Sequence, residues 1–273
     1  MAMLERIDAR RAELLPHGEA GRFRTYAAEM RAGNGVRKVV YRQAAHAIGR
    51  VYADGALSLA NFSKPLRSAL ARELYVDIDI PNAHPRILLA LARKHGWPAA
   101  CLERYIEQRD AVIGELPYPE PVSKQIFLAI VMCGSRHSVL RRAKLRDAGT
   151  SEFAERFKAE VNELAKRIHG QYTDHHRAIR ANSERPYASC LSFVLQDIEM
   201  RAIVEACDYL EAHDWDIGAL IHDGFLVRRR DAELLQIDAE LLGDMRAHVL
   251  RELGVDLPFA VKEWPEPLKV EDE

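Results

Sequence analysis

A strand that alternates apolar residues with aspartates is the feature that most constrains this chain. In Leu74-Tyr75-Val76-Asp77-Ile78-Asp79-Ile80, the residues Val76, Ile78 and Ile80 share one face while Asp77 and Asp79 share the other, and Pro81 ends the run. A carboxylate among such neighbours is costly unless a cation or a metal compensates its charge. A second apolar pair, Ala219-Leu220-Ile221-His222 and Phe225-Leu226-Val227, meets at Asp223-Gly224 and reads as a tight hairpin tipped by another aspartate without an adjacent cation. Taken singly, an Asp in a hairpin turn is ordinary turn chemistry. Two strand-borne aspartates far apart in sequence are also what a two-metal site needs. Mg²⁺ takes hard oxygens from one or two carboxylates and completes its shell with substrate phosphates. A metal pair about 3.5–4 Å apart then activates an attacking hydroxyl and stabilises the leaving oxygen.

The remainder of the chain is mostly helical. Glu5 to Arg31 reads as two helices broken near Pro16-His17-Gly18, and Ala32-Gly33-Asn34-Gly35 is a turn. Val36 to Ile48 fits helix or extended chain, and Gly49 to Ser63 is irregular with short strands around Arg50-Val51-Tyr52. Helices are expected over Leu66–Ala71, His84–His95, Cys101–Glu115, Val122–Cys133, Ser151–Arg180, Tyr187–Ala212 and Ala232–Leu253, with a last short strand at Phe259-Ala260-Val261. This order gives an α+β fold: a small antiparallel sheet backed by helices.

Composition narrows the class. With 273 residues, 48% apolar and 29% charged, the chain can bury a core without disulfide staples. Cys101, Cys133, Cys190 and Cys207 are widely spaced with no CxxC or Cys/His cluster, so the expectation is reduced core thiols and no zinc. The charged N-terminal stretch lacks the apolar core of a secretory signal, and the longest apolar run, Ile126 to Cys133, is too short to span a bilayer. A soluble, cytoplasmic protein is expected. The net charge of −2 argues against nucleic acid only if the charges are evenly spread. They are not: Arg37, Lys38 and Arg42 form one basic group, Lys64 and Arg67 a second, and Arg136, Arg141, Arg142, Lys144 and Arg146 a third. Each group alone fits a solvated helix face. The acidic residues concentrate in the C-terminal third.

Three segments, in order, carry a resemblance. Asp79-Ile80-Pro81-Asn82-Ala83-His84-Pro85-Arg86 resembles motif A of the family A DNA polymerases, D-x-x-Q-x-E-x-R, with Asp79 and Arg86 matching and Asn82 at the Gln position. Leu220-Ile221-His222-Asp223-Gly224 resembles motif C, V-H-D-E, with Gly224 in place of Glu, a departure that single-subunit phage RNA polymerases share. Lys124 to Gly134 is similar to motif B, K-x3-F-x3-Y-G: Lys124 matches, Phe127 falls one position early with Leu128 in register, and Met132 and Cys133 replace Tyr and Gly. Gly49-Arg50-Val51 with Leu59-Ala60-Asn61 is similar to the segment that contacts the primer terminus, and Gln196 stands where the family has a template-contacting Gln. The set is ordered over about Gly49 to Val227.

The resemblance implies a palm with a helical fingers subdomain and a much reduced thumb. The corresponding domains are a thumb-like helical segment 1–48, palm 49–100 with motif A, a fingers-like insertion 101–185 with motif B, and palm 186–273 with motif C. It implies a template-directed nucleotidyltransferase, a primase or short-tract polymerase, using Mg²⁺ or Mn²⁺ with DNA and nucleoside triphosphates. Asp79 and Asp223 would hold the metals, with the Ile80 carbonyl as a further ligand and Lys124 as the third catalytic residue. Lys124, His84, Arg86, Phe127 and Arg136 would contact the nucleotide, and Arg50, Asn61, Lys64, Arg67, Gln196 and His222 the primer–template. His84 falls at the sugar-gate position, where a histidine can bond a 2′-hydroxyl, or simply its own helix backbone. Asp77 fits an accessory ligand or an ion-pair partner. His175-His176 fits a solvated face, His46, His95 and His213 lack ligand partners in register, and the tryptophans fit packing roles. With so little chain ahead of the palm and no second carboxylate set for proofreading, low processivity is expected, as is a helicase or other replication protein lending DNA affinity. The competing expectations are a degenerate palm acting as a nucleic-acid-binding accessory protein, and a metal-dependent nuclease on the same carboxylates.

Overall fold

The computed structural model describes residues 19–33, 35, 38–43, 48–55, 57–172, 174, 184–221, 223–229 and 237–266. Expectations that fall on 1–18, on Arg37, His46, His175 and His176, and on the site residue His222 lie outside them.

In chain order, helix α1 (Glu19–Ala32) leads to a two-stranded ribbon, β1 (Tyr41–Gln43) and β2 (Val51–Ala53), then a 3₁₀ turn at Leu59–Asn61 and helix α2 (Lys64–Ala71). Strand β3 (Tyr75–Asp79) is followed by six helices: α3 (Ala83–Lys94), α4 (Ala100–Glu107), α5 (Arg109–Gly114), α6 (Glu120–Val131), α7 (Arg136–Arg142) and α8 (Glu152–Gln171). Helix α9 (Pro186–Ala212), hairpin β4 (Ile217–Ile221) and β5 (Gly224–Arg228), helix α10 (Ala239–Leu253) and strand β6 (Ala260–Lys262) complete it. The α+β class expected from the strand and helix order is the one observed.

Sequence and structure differ at three informative places. The run expected as one helix over Cys101–Glu115 breaks at Gln108, which ends α4 and precedes α5. Helix α7, within the third basic group, has too few residues to reveal a period. Gly224 was expected in a tight turn. It is instead the first residue of β5, paired with Ile221 and facing Asp79 across the sheet.

The sheet runs β4-β5-β3-β6, antiparallel throughout. The alternation read in β3 divides its surroundings. Ile78 and Ile80 join Phe225 and Val227 in the main core with α3, α9 and α10. The opposite face, bearing Asp77 and Asp79, carries a smaller cluster in which Leu226, Ala219 and Ile221 meet Phe23, Tyr26, Phe62 and Leu66 from α1 and α2. Glu19, 5% exposed, ties these helices together: its carboxylate accepts from the Ser63 backbone N–H at 2.5 Å and the Ser63 hydroxyl at 2.9 Å. The helices between β3 and α9 have their own aromatic centre, where Tyr105, Phe127, Phe153 and Phe157 sit with ring centroids 5.0–6.1 Å apart. All four cysteines are buried and unbridged, and burial pushes the Cys133 thiol up to about 11, as expected of packing thiols. Among the described residues no helix is long and apolar enough to cross a membrane.

Candidate active site

Register brings the two aspartates together. Asp79 is the last residue of β3 and lies opposite Gly224, so Asp223, one residue earlier, sits beside the end of β3. The Ile80 N–H donates to the Asp223 carbonyl at 3.1 Å and locks the hairpin tip to the residue after Asp79. The close approach explains the glycine after Asp223. A Cβ at 224 would lie 2.2 Å from the Ile78 carbonyl oxygen and 3.0 Å from Asp79 Cα, which leaves no room for a larger residue. Gly224 therefore follows from strand contact here, since its backbone is extended and needs no left-handed φ.

The charge on this face is compensated by two cations that the sequence reading did not assign to it. Lys262, on the neighbouring strand β6, forms an ion pair with Asp79. Burial alone would lower its ammonium pKa, but the Asp79 hydrogen bond and the charges of Asp79, Asp223 and Asp77 outweigh it and raise the value. Arg67, 7% exposed on α2, faces Asp77 and Asp223; burial lowers its pKa while those two carboxylates oppose the shift. Burial pushes the Asp77 carboxyl above the usual range, against the pull of Lys262 and Arg67. Asp77 is thus an ion-pair partner at 5% exposure. Arg67 neutralises acids from within the fold and is not placed on an open surface for a primer.

Asp223 also lines a cleft of about 550 Å³ between the sheet and the helical insertion. Around it stand Arg50, Lys64, Asn82, His84, Arg109, Lys124, Leu128, Met132 and Glu199. The left-handed φ of 54° at Asn82, a conformation Asn tolerates, turns the chain from β3 into α3 and sets His84 in the first turn facing the cleft. Lys124 projects from α6 opposite the sheet, ion-paired to Glu120 one turn earlier. At the floor, Glu199 is 1% exposed: its Oε2 accepts from Arg50 Nε at 2.9 Å, and its Oε1 lies 3.0 Å from His84 Nε2. That second contact is at ion-pair distance but is not an aligned hydrogen bond, because the oxygen stands off the ring N–H direction.

Of the sequence-designated residues, Asp223, Lys124, His84, Arg50 and Lys64 share this cleft, with Asp79 across the strand pair. Others do not. Phe127 is fully buried among Tyr105 and Phe157 and offers no surface to a nucleotide; the next residue, Leu128, is 54% exposed in the cleft. The one-residue offset in motif B is therefore a half-turn difference in facing. Arg136 is bound to Asp147 at 2.8 Å on the far side of α6. Arg86 points away, its Nε donating to the Pro81 carbonyl at 2.9 Å with Asp256 nearby. The Asn61 side-chain oxygen accepts from the Ser58 N–H at 2.7 Å in a capping box, and Gln196 donates to Ser192 at 2.9 Å beside Gly49, outside the cleft lining. The Ile80 N–H serves the hairpin; its side chain is 1% exposed.

Sequence reading missed Arg109, Glu199 and Lys262. Only Glu199 carried a signal, one turn from Leu195 and Ile203 on a buried stripe of α9. Asp79 and Asp223 supply hard carboxylate oxygens suited to Mg²⁺ once Asp79 is released by Lys262, with substrate phosphate needed to complete a shell. Among the described residues no group of three or more His, Cys, Asp or Glu side chains is placed to hold a metal by itself.

No protein-family profile matches the chain. A protein of Sputnik virophage described as "Putative helicase V13" is 24% identical over 236 residues, which cover 82% of this chain and 29% of that protein. The chain thus spans under a third of that relative. Among solved structures, the POL domain of Pol1 from M. smegmatis, in complex with DNA primer-template and dNTP, superposes with a TM-score of 0.54 at 15% identity, covering 90% of this chain and 51% of that one. The chain has the α+β fold of that polymerase domain, a palm-like antiparallel sheet with helices around it.

Proposed function

We propose that the chain is a Mg²⁺-dependent, template-directed nucleotidyltransferase that makes short tracts. The observation that carries this reading is the meeting of Asp79 and Asp223 on paired strands, at a cleft whose other walls bring in Lys124, Arg109, Lys64 and Arg50. Phosphoryl transfer asks a protein for positioning and charge stabilisation more than for covalent chemistry. Asp79 and Asp223 would hold Mg²⁺ or Mn²⁺, which when bound lowers the pKa of the attacking hydroxyl and stabilises charge on the leaving oxygen. Lys262 vacates Asp79 when the metal enters. Lys124 exchanges Glu120 for the triphosphate, and Arg109 extends the same positive wall. Arg50, held by Glu199, faces the primer side of the cleft, and Lys64 at the start of α2 offers a phosphate contact.

The length match to a helicase-named viral protein supports placing this activity beside a duplex-unwinding function. A second reading, a non-catalytic palm that binds nucleic acid, draws support from the Asp79–Lys262 pair, since it satisfies the acid without metal.

The test is incubation with primed and unprimed templates, Mg²⁺ or Mn²⁺, and dNTPs or NTPs in separate lanes, using wild type, Asp79→Asn and Asp223→Asn. Incorporation by wild type and background levels in both variants, each keeping its thermal unfolding transition, is expected. Product in the unprimed lane identifies a primase. Long products from the isolated chain would contradict the short-tract reading, and no product in any wild-type lane would favour the non-catalytic palm.

A further inference from the structure

Glu199 has two partners, one on each oxygen, and both reach the cleft. Arg50 holds Oε2 through Nε and Nη2, each at 2.9 Å, while Oε1 is left to His84 Nε2 at 3.0 Å. Neutralising one buried carboxylate needs one guanidinium. The second contact joins α9 to the first turn of α3, and Asp223 and Lys124 line the same cavity. A bare imidazole lone pair held 3.0 Å from a carboxylate oxygen would be repelled, whereas an N–H there is attracted, so the carboxylate selects the ring's proton position even off the N–H axis. The proton then sits on Nε2, and Nδ1 is the ring atom left with a lone pair. A lone pair takes a hydrogen bond from a donor, and the sugar of a ribonucleotide has such a donor at its 2′-hydroxyl where a deoxynucleotide has none.

Building on the nucleotidyltransferase reading, we infer that Glu199 is a positioning residue that holds His84 with Nδ1 as a hydrogen-bond acceptor for the 2′-hydroxyl of the incoming nucleotide, so that the cleft prefers ribonucleoside triphosphates. The substitution Glu199→Gln is informative because its outcome is set by Arg50. The guanidinium keeps the amide oxygen, which turns the amide nitrogen toward His84; an N–H there donates to Nε2 and moves the ring proton to Nδ1. The acceptor becomes a donor with almost no change in volume.

Two measurements that need no turnover test the inference. Nitrogen-15 correlation spectra of the imidazole rings should show His84 as the Nε2–H form in wild type and the Nδ1–H form in Glu199→Gln, with His84→Phe identifying the signal. Equilibrium binding of MgATP, MgdATP and the Mg²⁺ complex of 2′-fluoro-dATP reads the contact directly. Wild type should bind ATP about 3–10-fold tighter than dATP, the range of one net hydrogen bond. The 2′-fluoro compound, which cannot donate, should bind wild type like dATP. Glu199→Gln and His84→Phe should each bring the ATP-to-dATP ratio close to unity. A wild-type Nδ1–H tautomer, a ratio unchanged in Glu199→Gln, or 2′-fluoro binding equal to that of ATP overturns the inference. Nucleotide binding with these ratios but no incorporation overturns the polymerase reading alone, and failure to bind any of the nucleotides overturns both.

Discussion

Replacing Lys262 with methionine tests whether the acidic face of β3 is a metal site that a lysine occupies in the absence of metal. Methionine keeps most of the side chain's length while removing the charge that faces Asp77, Asp79 and Asp223. The Asp79 side chain is 16% exposed and that of Lys262 37%, so the pair lies between two measured regimes. Exposed pairs contribute about 0–1 kcal/mol. Removing one partner of a fully buried pair costs about 3–5 kcal/mol. Arg67 remains to compensate Asp77 and Asp223, so a loss of about 1–2 kcal/mol is expected, a fall in Tm of roughly 2–8 °C for a chain of this size. The same free energy opposes metal entry in wild type. Freeing Asp79 should therefore tighten divalent-cation binding by about 5–30-fold. Thermal unfolding titrated with Mn²⁺ reads both effects, because a ligand that binds only the folded state raises Tm with its concentration. The variant should start below wild type without metal and gain more on titration, and Asp79→Asn in the Lys262→Met background should remove that gain. Equal responses in wild type and Lys262→Met would refute a metal role for the carboxylate pair.

Gly224→Ala should cost about 1–3 kcal/mol or more in urea unfolding, because its methyl group would collide with the Ile78 carbonyl and force β5 from β3; a neutral effect would mean that the strands can part freely. Phe127→Ala should cost about 3–5 kcal/mol by emptying the aromatic centre of the insertion. Leu128→Ala, by contrast, should stay within about 0.5 kcal/mol in unfolding and weaken nucleotide binding instead, and the reverse pattern would refute the facing of α6. Arg246 holds the Asp256 carboxyl below its usual range through a two-point contact at 2.5 and 2.6 Å. A carboxyl depressed in the folded state adds stability above its unfolded pKa and loses it as pH falls through the folded value. Asp256→Asn should therefore cost up to about 1 kcal/mol at neutral pH, with the gap to wild type closing in acid; a gap independent of pH would refute the contribution.

How much was legible depended on whether local pattern or distant neighbours made the decision. The alternation of β3 and the apolar arms of the hairpin are set by residue spacing, so both elements and the aspartates they carry could be read from the chain. The same reading misplaced Phe127, because a helix turns by about 100° per residue and one position decides whether a side chain meets core or cleft. It placed Arg136 and Arg86 at a nucleotide, whereas Asp147, the Pro81 carbonyl and Asp256 claim them. It gave Gly224 to a turn, when the reason for that glycine is the backbone of a strand well over a hundred residues earlier.

The sequence by itself determined the elements, the α+β class and the two strand-borne acids, because hydrophobic periodicity and turn residues act over a few positions. The tertiary structure decided which charges face one another. Lys262 on Asp79, Arg67 by Asp77 and Asp223, and Glu199 between Arg50 and His84 are pairings across different elements. Coulombic and hydrogen-bonding partners are fixed by distance in space, which no local pattern encodes, so what balances the acids of this cleft became visible only once the sheet was assembled.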